Sequence, residues 1–111
     1  MPDKELVIYS RTYGCPFVTI AKRVLSRHNV PYREIFIDKD EQAKARVIAW
    51  TGFQSVPTMV IAHAGDIAPY EPVAPLPAGT SPRGIDRGAM LTEGNADEVT
   101  AWLTKHGFIR P

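Results

Sequence analysis

The stretch VIYSRTYGCPFVTIAKRVL, residues 7–25, changes its apolar period on either side of the chain's single cysteine. Before the cysteine, residues 6–9 form a short, partly β-branched apolar run, which is typical of a buried strand. Pro16 suits the first position of a helix, where its missing N–H costs no hydrogen bond. The following apolar residues recur at the spacing of one helix face: Phe17, Ile20, Ala21, Val24 and Leu25. The pattern therefore places Cys15 between the end of a strand and the start of a helix.

The middle of the chain continues this alternation of strands and helices. The sequence predicts a second strand over residues 32–37 and a third strand over 58–62. Between them, residues 40–51 have the pattern of a helix, with Gly52 as its left-handed cap. The residues expected to face inward from this helix are Ala43, Val47 and Trp50.

The C-terminal part of the chain adds one strand and one helix. Residues 89–92 predict a weak fourth strand, and Asn95 with Glu98 has the spacing of a capping box that begins a helix. Gly107 is expected to end that helix. The order of elements predicts an α/β fold in which the first helix connects two parallel strands, and helices cover both faces of a mixed sheet.

Residues 63–88 differ in composition from the rest of the chain. This segment, HAGDIAPYEPVAPLPAGTSPRGIDRG, holds five of the ten prolines and four of the eight glycines. Such a composition predicts a surface insert before the last strand, partly in the polyproline conformation. A strip around Tyr70 that binds a protein partner is an alternative interpretation of this segment.

Composition restricts the functional classes. The 111 residues predict one domain, 1–111, and a net charge of +1 favours neither nucleic acid nor an anionic membrane as a partner. No apolar run approaches the length of a membrane span. One cysteine excludes an internal disulfide and a zinc site with several thiolates. We expect a cytoplasmic protein.

The predicted position of Cys15 suits thiol chemistry. Free N–H groups and the positive end of a helix dipole favour the anionic form of a group placed there. A stabilised thiolate is above all a good leaving group, so the site suits repeated thiol–disulfide exchange. The structural alternative is a buried cysteine that acts only as a small hydrophobic residue.

Three segments resemble the glutaredoxin family. VIYSRTYGCPF is similar to its strand, loop and Cys-Pro-aromatic motif, and TGFQSVPTMVI to its Thr-Gly-x-x-x-Val-Pro segment, in which the proline is cis and faces the thiol. GNADEV is similar to the turn that opens its last helix, and MLTEGNADEVTAWL also resembles mycoredoxins, which use mycothiol. The resemblance implies a thioredoxin-like fold, a four-stranded mixed sheet flanked by three helices.

The resemblance also implies roles for individual residues. Cys15 would be the catalytic thiol, and Val18 occupies the position of a resolving cysteine, so the mechanism would be monothiol. The ligand-binding candidates are Arg11 for a glycyl carboxylate, Val56 and Pro57 for the ligand backbone, Asp97 for the γ-glutamyl amine, and Tyr13 as a wall of the groove. The active-site loop would comprise Gly14, Pro16, Phe17 and Val18.

The leading functional hypothesis is a monothiol oxidoreductase that acts as a monomer. It would exchange mixed disulfides between protein substrates and glutathione or a related thiol such as mycothiol. The alternative from another class is a [2Fe–2S] carrier, with Cys15 of two protomers and two glutathiones as ligands, although Pro16 and Val18 argue against it. Two further alternatives are a relative of the glutathione transferase N-terminal domain and a binding module that uses residues 63–88. We expect no other metal site.

Overall fold

The computed structural model describes residues 3–109. Its elements follow the predicted order: β1 Lys4–Ser10, α1 Pro16–Arg27, β2 Arg33–Phe36, α2 Glu41–Thr51, β3 Thr58–His63, β4 Met90–Thr92 and α3 Ala96–Lys105. Three helices and a four-stranded mixed sheet confirm the predicted fold class. No helix in residues 3–109 is long and apolar enough to cross a membrane.

The sheet has the strand order β2-β1-β3-β4. β1 is parallel to β2 and antiparallel to β3, and β3 is antiparallel to β4. Successive side chains of the central strand β1 point to opposite faces. Leu6 and Ile8 therefore join the core that includes residues of α1 and α3, whereas Val7 and Tyr9 join the core that includes residues of α2. Both faces of the sheet are covered, as expected for a parallel crossover.

The buried face of α1 differs from the prediction. Ala21, Val24 and Leu25 are buried as expected, but Phe17 and Ile20 are only partly buried and Val18 takes an inward position. Val18 packs in the same cluster as Tyr9, whereas the later residues of α1 pack in the cluster on the other side of the sheet. The first turn of α1 therefore buries a different face of the helix from the later turns.

The predicted cap at Gly52 and the predicted capping box of α3 are confirmed, and α2 begins one residue later than predicted. Asp40 is the N-cap of α2, and its Oδ1 accepts hydrogen bonds from the N–H groups of Gln42 and Ala43 at 3.0 and 3.1 Å. Gly52 ends α2 with a φ of 82°, in the left-handed region where glycine is favoured. Asn95 and Glu98 form the capping box of α3, with both hydrogen bonds at 2.8 Å.

Trp50 is less buried than predicted. It lies at the end of α2, half-buried, with its ring edge-on to Tyr9 at a centroid distance of 5.3 Å. The Trp50 ring thus packs at the edge of the core. The connection between β3 and β4 reaches the same end of α2, where the Nη1 of Arg87 donates to the Trp50 carbonyl at 2.7 Å.

The connection between β3 and β4, residues 64–89, is anchored at several points. The N–H of Tyr70 donates to the carbonyl of Ile61 at 2.8 Å, and the Tyr70 side chain packs against the core. Arg87 is only 6% exposed, and its Nε donates to the carbonyl of Ala74 at 2.8 Å. Near its end, the connection runs beside β4 and forms two isolated bridges, Arg83 with Thr92 and Asp86 with Leu91.

Candidate active site

Cys15 lies at the junction that the sequence predicts. It is the N-cap residue of α1, with extended backbone angles of φ −151° and ψ 120°, and Pro16 follows at the first helical position. Its thiol is free and partly exposed. The Sγ atom lies 3.5 Å from the carbonyl oxygen of Val56. The thiol therefore faces the loop before β3 and also retains access to solvent.

The first turn of α1 holds Cys15 through its backbone. The side chain of Cys15 makes no capping hydrogen bond. Its carbonyl accepts the N–H of Thr19 at 3.1 Å and the Thr19 hydroxyl at 3.3 Å. The sulfur also packs against the apolar cluster that contains Val18. The hydrogen bonds in the first turn of α1 and the packing against the apolar cluster therefore fix the position of Cys15.

The loop opposite the thiol contains a cis peptide bond between Val56 and Pro57, as expected. The side chain of Val56 is buried, and within residues 3–109 no backbone group pairs with its N–H or C=O. The Pro57 carbonyl accepts the N–H of Glu93 at 2.9 Å. The hydroxyl of Thr58 donates to the carbonyl of Ser55 at 2.9 Å. This loop is therefore fixed on both sides. The Val56 carbonyl accepts only from the Cys15 thiol among residues 3–109, and the Val56 N–H has no backbone partner there.

The loop between β1 and α1 carries a cation beside the thiol. The Nη2 of Arg11 donates to the carbonyl of Gly14 at 2.8 Å, and its guanidinium lies 4.5 Å from the ring centroid of Tyr13. The Nε of Arg11 is buried and has no partner among residues 3–109. Tyr13 is 63% exposed. Of the five N–H donors of Arg11, only the one from Nη2 to Gly14 is paired within residues 3–109.

A polar pocket of about 260 Å³ adjoins this loop. Its lining residues are Arg11, Tyr13, Ile37, Asp38, Glu41, Lys44 and Gln54. The hydroxyl and N–H of Thr12 donate to the Asp38 carboxylate, and these hydrogen bonds, led by that of the hydroxyl, lower the pKa of Asp38 below its ordinary value of 3.8. Two basic and two acidic side chains therefore line the pocket, and Asp38 stays ionised at neutral pH.

A family model for glutaredoxin matches residues 6–64, which is more than half of the chain. The chain belongs to the glutaredoxin family. No curated protein matches it. The crystal structure of a buckwheat glutaredoxin–glutathione complex is 19% identical, covers 96% of this chain and 82% of that one, and superposes with a TM-score of 0.50. This likeness agrees with the fold described above.

Two further solved structures are similar at lower TM-scores. The holo form of glutaredoxin C1 from Populus tremula x tremuloides is 18% identical and covers 92% of this chain and 75% of that one, with a TM-score of 0.46. The solution structure of a glutaredoxin from Brucella melitensis is 19% identical and covers 93% and 80%, also with a TM-score of 0.46.

In this glutaredoxin, the structure brings together most of the residues singled out by sequence. Cys15, Val56 and Pro57 form one side of the site, with Val18 buried behind them. Asp97 is exposed in the first turn of α3, and its side chain makes no hydrogen bond or ion pair with another residue between 3 and 109.

Three residues that lie near the predicted site residues were not indicated by the sequence. Lys44 and Gln54 line the pocket beside Arg11. Because β1 and β2 are parallel, the segments that follow them meet at one sheet edge, and this signal predicts that the start of α2 lies beside the loop of Arg11. The third missed residue is Arg83, whose guanidinium lies 5.0 Å from the ring centroid of Phe17. No periodicity in the sequence indicates that contact.

Proposed function

We propose that this glutaredoxin is a monothiol oxidoreductase in which Cys15 exchanges mixed disulfides with glutathione or a related small thiol. The observation that carries the proposal is the position of the partly exposed Cys15 thiol, 3.5 Å from the carbonyl of Val56 in the cis-proline loop. A thiol at a helix start, beside a residue whose N–H and C=O have no backbone partner within residues 3–109, suits a ligand that is itself an extended peptide.

The proposed reaction has two exchange steps at one sulfur. The Cys15 thiolate attacks the glutathionyl sulfur of a protein mixed disulfide, so a Cys15–glutathione bond forms and the protein sulfur leaves as a thiolate and takes up a proton. The thiolate of a second glutathione then attacks the same glutathionyl sulfur, which releases the Cys15 thiolate and oxidised glutathione. The sum of the two steps converts the protein mixed disulfide and one reduced glutathione into the protein thiol and oxidised glutathione, so the incoming glutathione is the reductant. Val18 offers no second thiol, so the second step requires an external one.

The polar groups around the thiol match the parts of a tripeptide. The backbone of Val56 would pair with the cysteinyl unit as a short β-augmentation. Arg11, with its unpartnered Nε, and Lys44 would hold the glycyl carboxylate, with the exposed ring of Tyr13 as a wall. Asp97 would receive the γ-glutamyl amine at the opening of α3.

The identity of the small thiol is a separate part of the proposal. Glutathione fits the carboxylate-binding groups at Arg11 and Lys44. Mycothiol is the second candidate, on the resemblance of the C-terminal segment to mycoredoxins. Disulfide-bearing proteins would be the macromolecular substrates, and the exchange steps need only one protomer.

The alternative function is a [2Fe–2S] carrier with Cys15 of two protomers and two glutathiones as ligands. Pro16 follows Cys15 at the first helical position, and the side chain of Val18 is buried in the cluster against which Cys15 packs. This arrangement supports exchange over cluster binding. Anaerobic reconstitution with iron, sulfide and glutathione should give protein without the visible absorbance of a cluster.

Intact mass spectrometry tests the proposed function directly. Reduced protein mixed with oxidised glutathione should gain one glutathionyl group, which excess reduced glutathione removes and which Cys15→Ser does not acquire. An adduct with mycothiol disulfide but not with oxidised glutathione would identify mycothiol as the small thiol and would leave the proposed mechanism unchanged. The absence of an adduct with both disulfides, in protein whose thiol still reacts with iodoacetamide, would refute the proposal.

A further inference from the structure

An arginine from the connection between β3 and β4 lies against the first turn of the helix that begins after Cys15. The guanidinium carbon of Arg83 is 5.0 Å from the ring centroid of Phe17, two residues after Cys15. The connection therefore brings a cation to the start of α1. Arg83 has no role in the function proposed above.

The backbone fixes the position of Arg83. Arg83 forms a parallel bridge with Thr92, and the N–H of Gly84 donates to the Thr92 carbonyl at 2.8 Å. Gly84 has a φ of 72°, and a Cβ atom there would lie 2.7 Å from a carboxylate oxygen of Glu98. Glycine thus permits the connection to approach α3 closely at this point.

The same edge of β4 is tied to the cis-proline loop. Glu93 follows Thr92, and its N–H donates to the carbonyl of Pro57 at 2.9 Å. Phe17, Arg83, Glu93 and Pro57 consequently lie along one side of the site. Arg11 lies on the other side, because it follows β1 and shares a pocket with α2 residues, while Arg83 lies at the β4 edge of the sheet.

The guanidinium of Arg83 has hydrogen-bonding capacity that the protein does not use. Its Nη2 lies 3.3 Å from a carboxylate oxygen of Glu93. Within residues 3–109, no other side-chain or backbone acceptor contacts this guanidinium. The side chain is 60% exposed. An arginine has five donors in a planar fork that matches a carboxylate, so most of them face solvent in this structure.

We propose that Arg83 is a specificity-determining residue that binds a carboxylate of the disulfide-bearing ligand on the α3 side of Cys15. The inference rests on the proposed function. For a γ-glutamyl tripeptide extended along Val56, the end at α3 carries both an amine and an α-carboxylate. Asp97 and Arg83 supply the opposite charges on that side. A thiol without a carboxylate gains nothing from Arg83.

The test compares three disulfide probes in their reaction with Cys15. Oxidised glutathione carries the γ-glutamyl carboxylate, the disulfide of cysteinylglycine lacks the γ-glutamyl unit, and 2-hydroxyethyl disulfide is neutral. Second-order rates of adduct formation are measured by quenched-flow mass spectrometry for the wild type, Arg83→Gln and Arg83→Lys. Arg23→Gln is the control, since Arg23 is an exposed arginine of α1.

Arg83→Gln should slow the reaction with oxidised glutathione about fivefold, the size expected for one exposed ion pair. The rates with the other two probes should stay within about twofold of the wild type. Arg83→Lys should recover part of the loss, because it keeps the charge and loses the planar fork. The difference between wild type and Arg83→Gln should shrink in high salt.

Three outcomes overturn the inference and one concerns the proposed function. Equal slowing of all three probes by Arg83→Gln would show a structural role, and unchanged rates would show no role. If Arg83→Gln slowed the reactions of cysteinylglycine disulfide and oxidised glutathione equally, Arg83 would not bind the γ-glutamyl carboxylate. If the wild type forms no adduct with any probe, the proposed function itself fails, whatever the effect of Arg83.

Discussion

The Sγ atom of Cys15 and the carbonyl oxygen of Val56 lie 3.5 Å apart, although 41 positions separate the two residues in the chain. The pairing of β1 with β3 explains this approach. Tyr9 pairs with Thr58 in an antiparallel register, so the end of β1 and the start of β3 lie at the same sheet edge. The loop after β1 and the loop before β3 must therefore meet there.

A second thiol at position 18 should change how the adduct is resolved. Cys15 is the N-cap of α1 and Val18 lies three residues later, within the same turn. In Val18→Cys, the introduced thiolate should attack the sulfur of Cys15 in the glutathionyl adduct, releasing glutathione and forming an internal disulfide. Mass spectrometry without added thiol should show the adduct disappear. Ser26→Cys, at an exposed position of α1, should keep its Cys15 adduct, and an equally stable adduct in both variants would contradict the expected resolution.

Loss of the carboxylate at Asp97 should weaken glutathione binding without affecting the thiol. Asp97 is exposed in the first turn of α3 and has no partner within residues 3–109, so its charge is available to an amine. Asp97→Asn should raise the KM for a glutathionylated peptide about fivefold, as expected for one exposed ion pair. The rate with neutral 2-hydroxyethyl disulfide should not change. Asp66→Asn, at an exposed position beyond β3, is the control, and equal KM values in both variants would remove Asp97 from the binding site.

Replacement of Arg87 should destabilise the fold. This residue is 6% exposed and donates to the carbonyls of Trp50 and Ala74 at 2.7 and 2.8 Å. Arg87→Met would leave both carbonyls without their donor, and the free energy of unfolding should fall by about 2 kcal/mol. Urea denaturation followed by tryptophan fluorescence measures the loss. Arg23→Met should change stability by less than about 0.5 kcal/mol. A similar loss in the two variants would show that the buried contacts of Arg87 contribute little.

Stability should decrease on acidification through His106. Burial lowers the pKa of His106 below its ordinary value of 6.5, and its Nε2 lies 2.9 Å from the Gly88 carbonyl. Below about pH 6.5 the unfolded chain binds this proton more readily than the folded protein, so the free energy of unfolding falls as the pH falls. The urea midpoint should therefore be lower at pH 5.5 than at pH 7.5.

The decrease should be smaller in His106→Gln, which retains a donor for the Gly88 carbonyl. His28→Gln is the matched control, because His28 is likewise the C-cap residue of its helix but is exposed. It should keep the pH dependence of the wild type. Parallel curves for the wild type and His106→Gln would assign the acid sensitivity to other groups.

Local patterns in the sequence predicted the elements and their ends well. The change of period at Cys15, the cap at Gly52 and the Asn95–Glu98 box each act within a few residues, so the sequence states them directly. The inward face of α1 was partly wrong, because Phe17 and Val18 lie in the first turn, where contacts with the sheet end decide which side chain is buried.

Contacts between distant segments were harder to predict. Arg83 and Arg87 lie in a connection rich in proline and glycine, which has no apolar period from which to infer direction. One of them is buried and the other faces solvent beside Phe17, and only the path of the connection distinguishes them. The contact of Lys44 with the pocket beside Arg11 was also not predicted, since it depends on how α2 is oriented after β2.

The connection formed by residues 64–89 is anchored at its two ends and exposed between them. Tyr70 attaches the early part of the connection to the core and Arg87 attaches the late part, while residues 77–79 between them are exposed. Replacement of that exposed tip would leave both attachments in place. Engineering by loop grafting, or natural drift, can therefore vary what the molecule presents to other proteins without displacing the reactive sulfur.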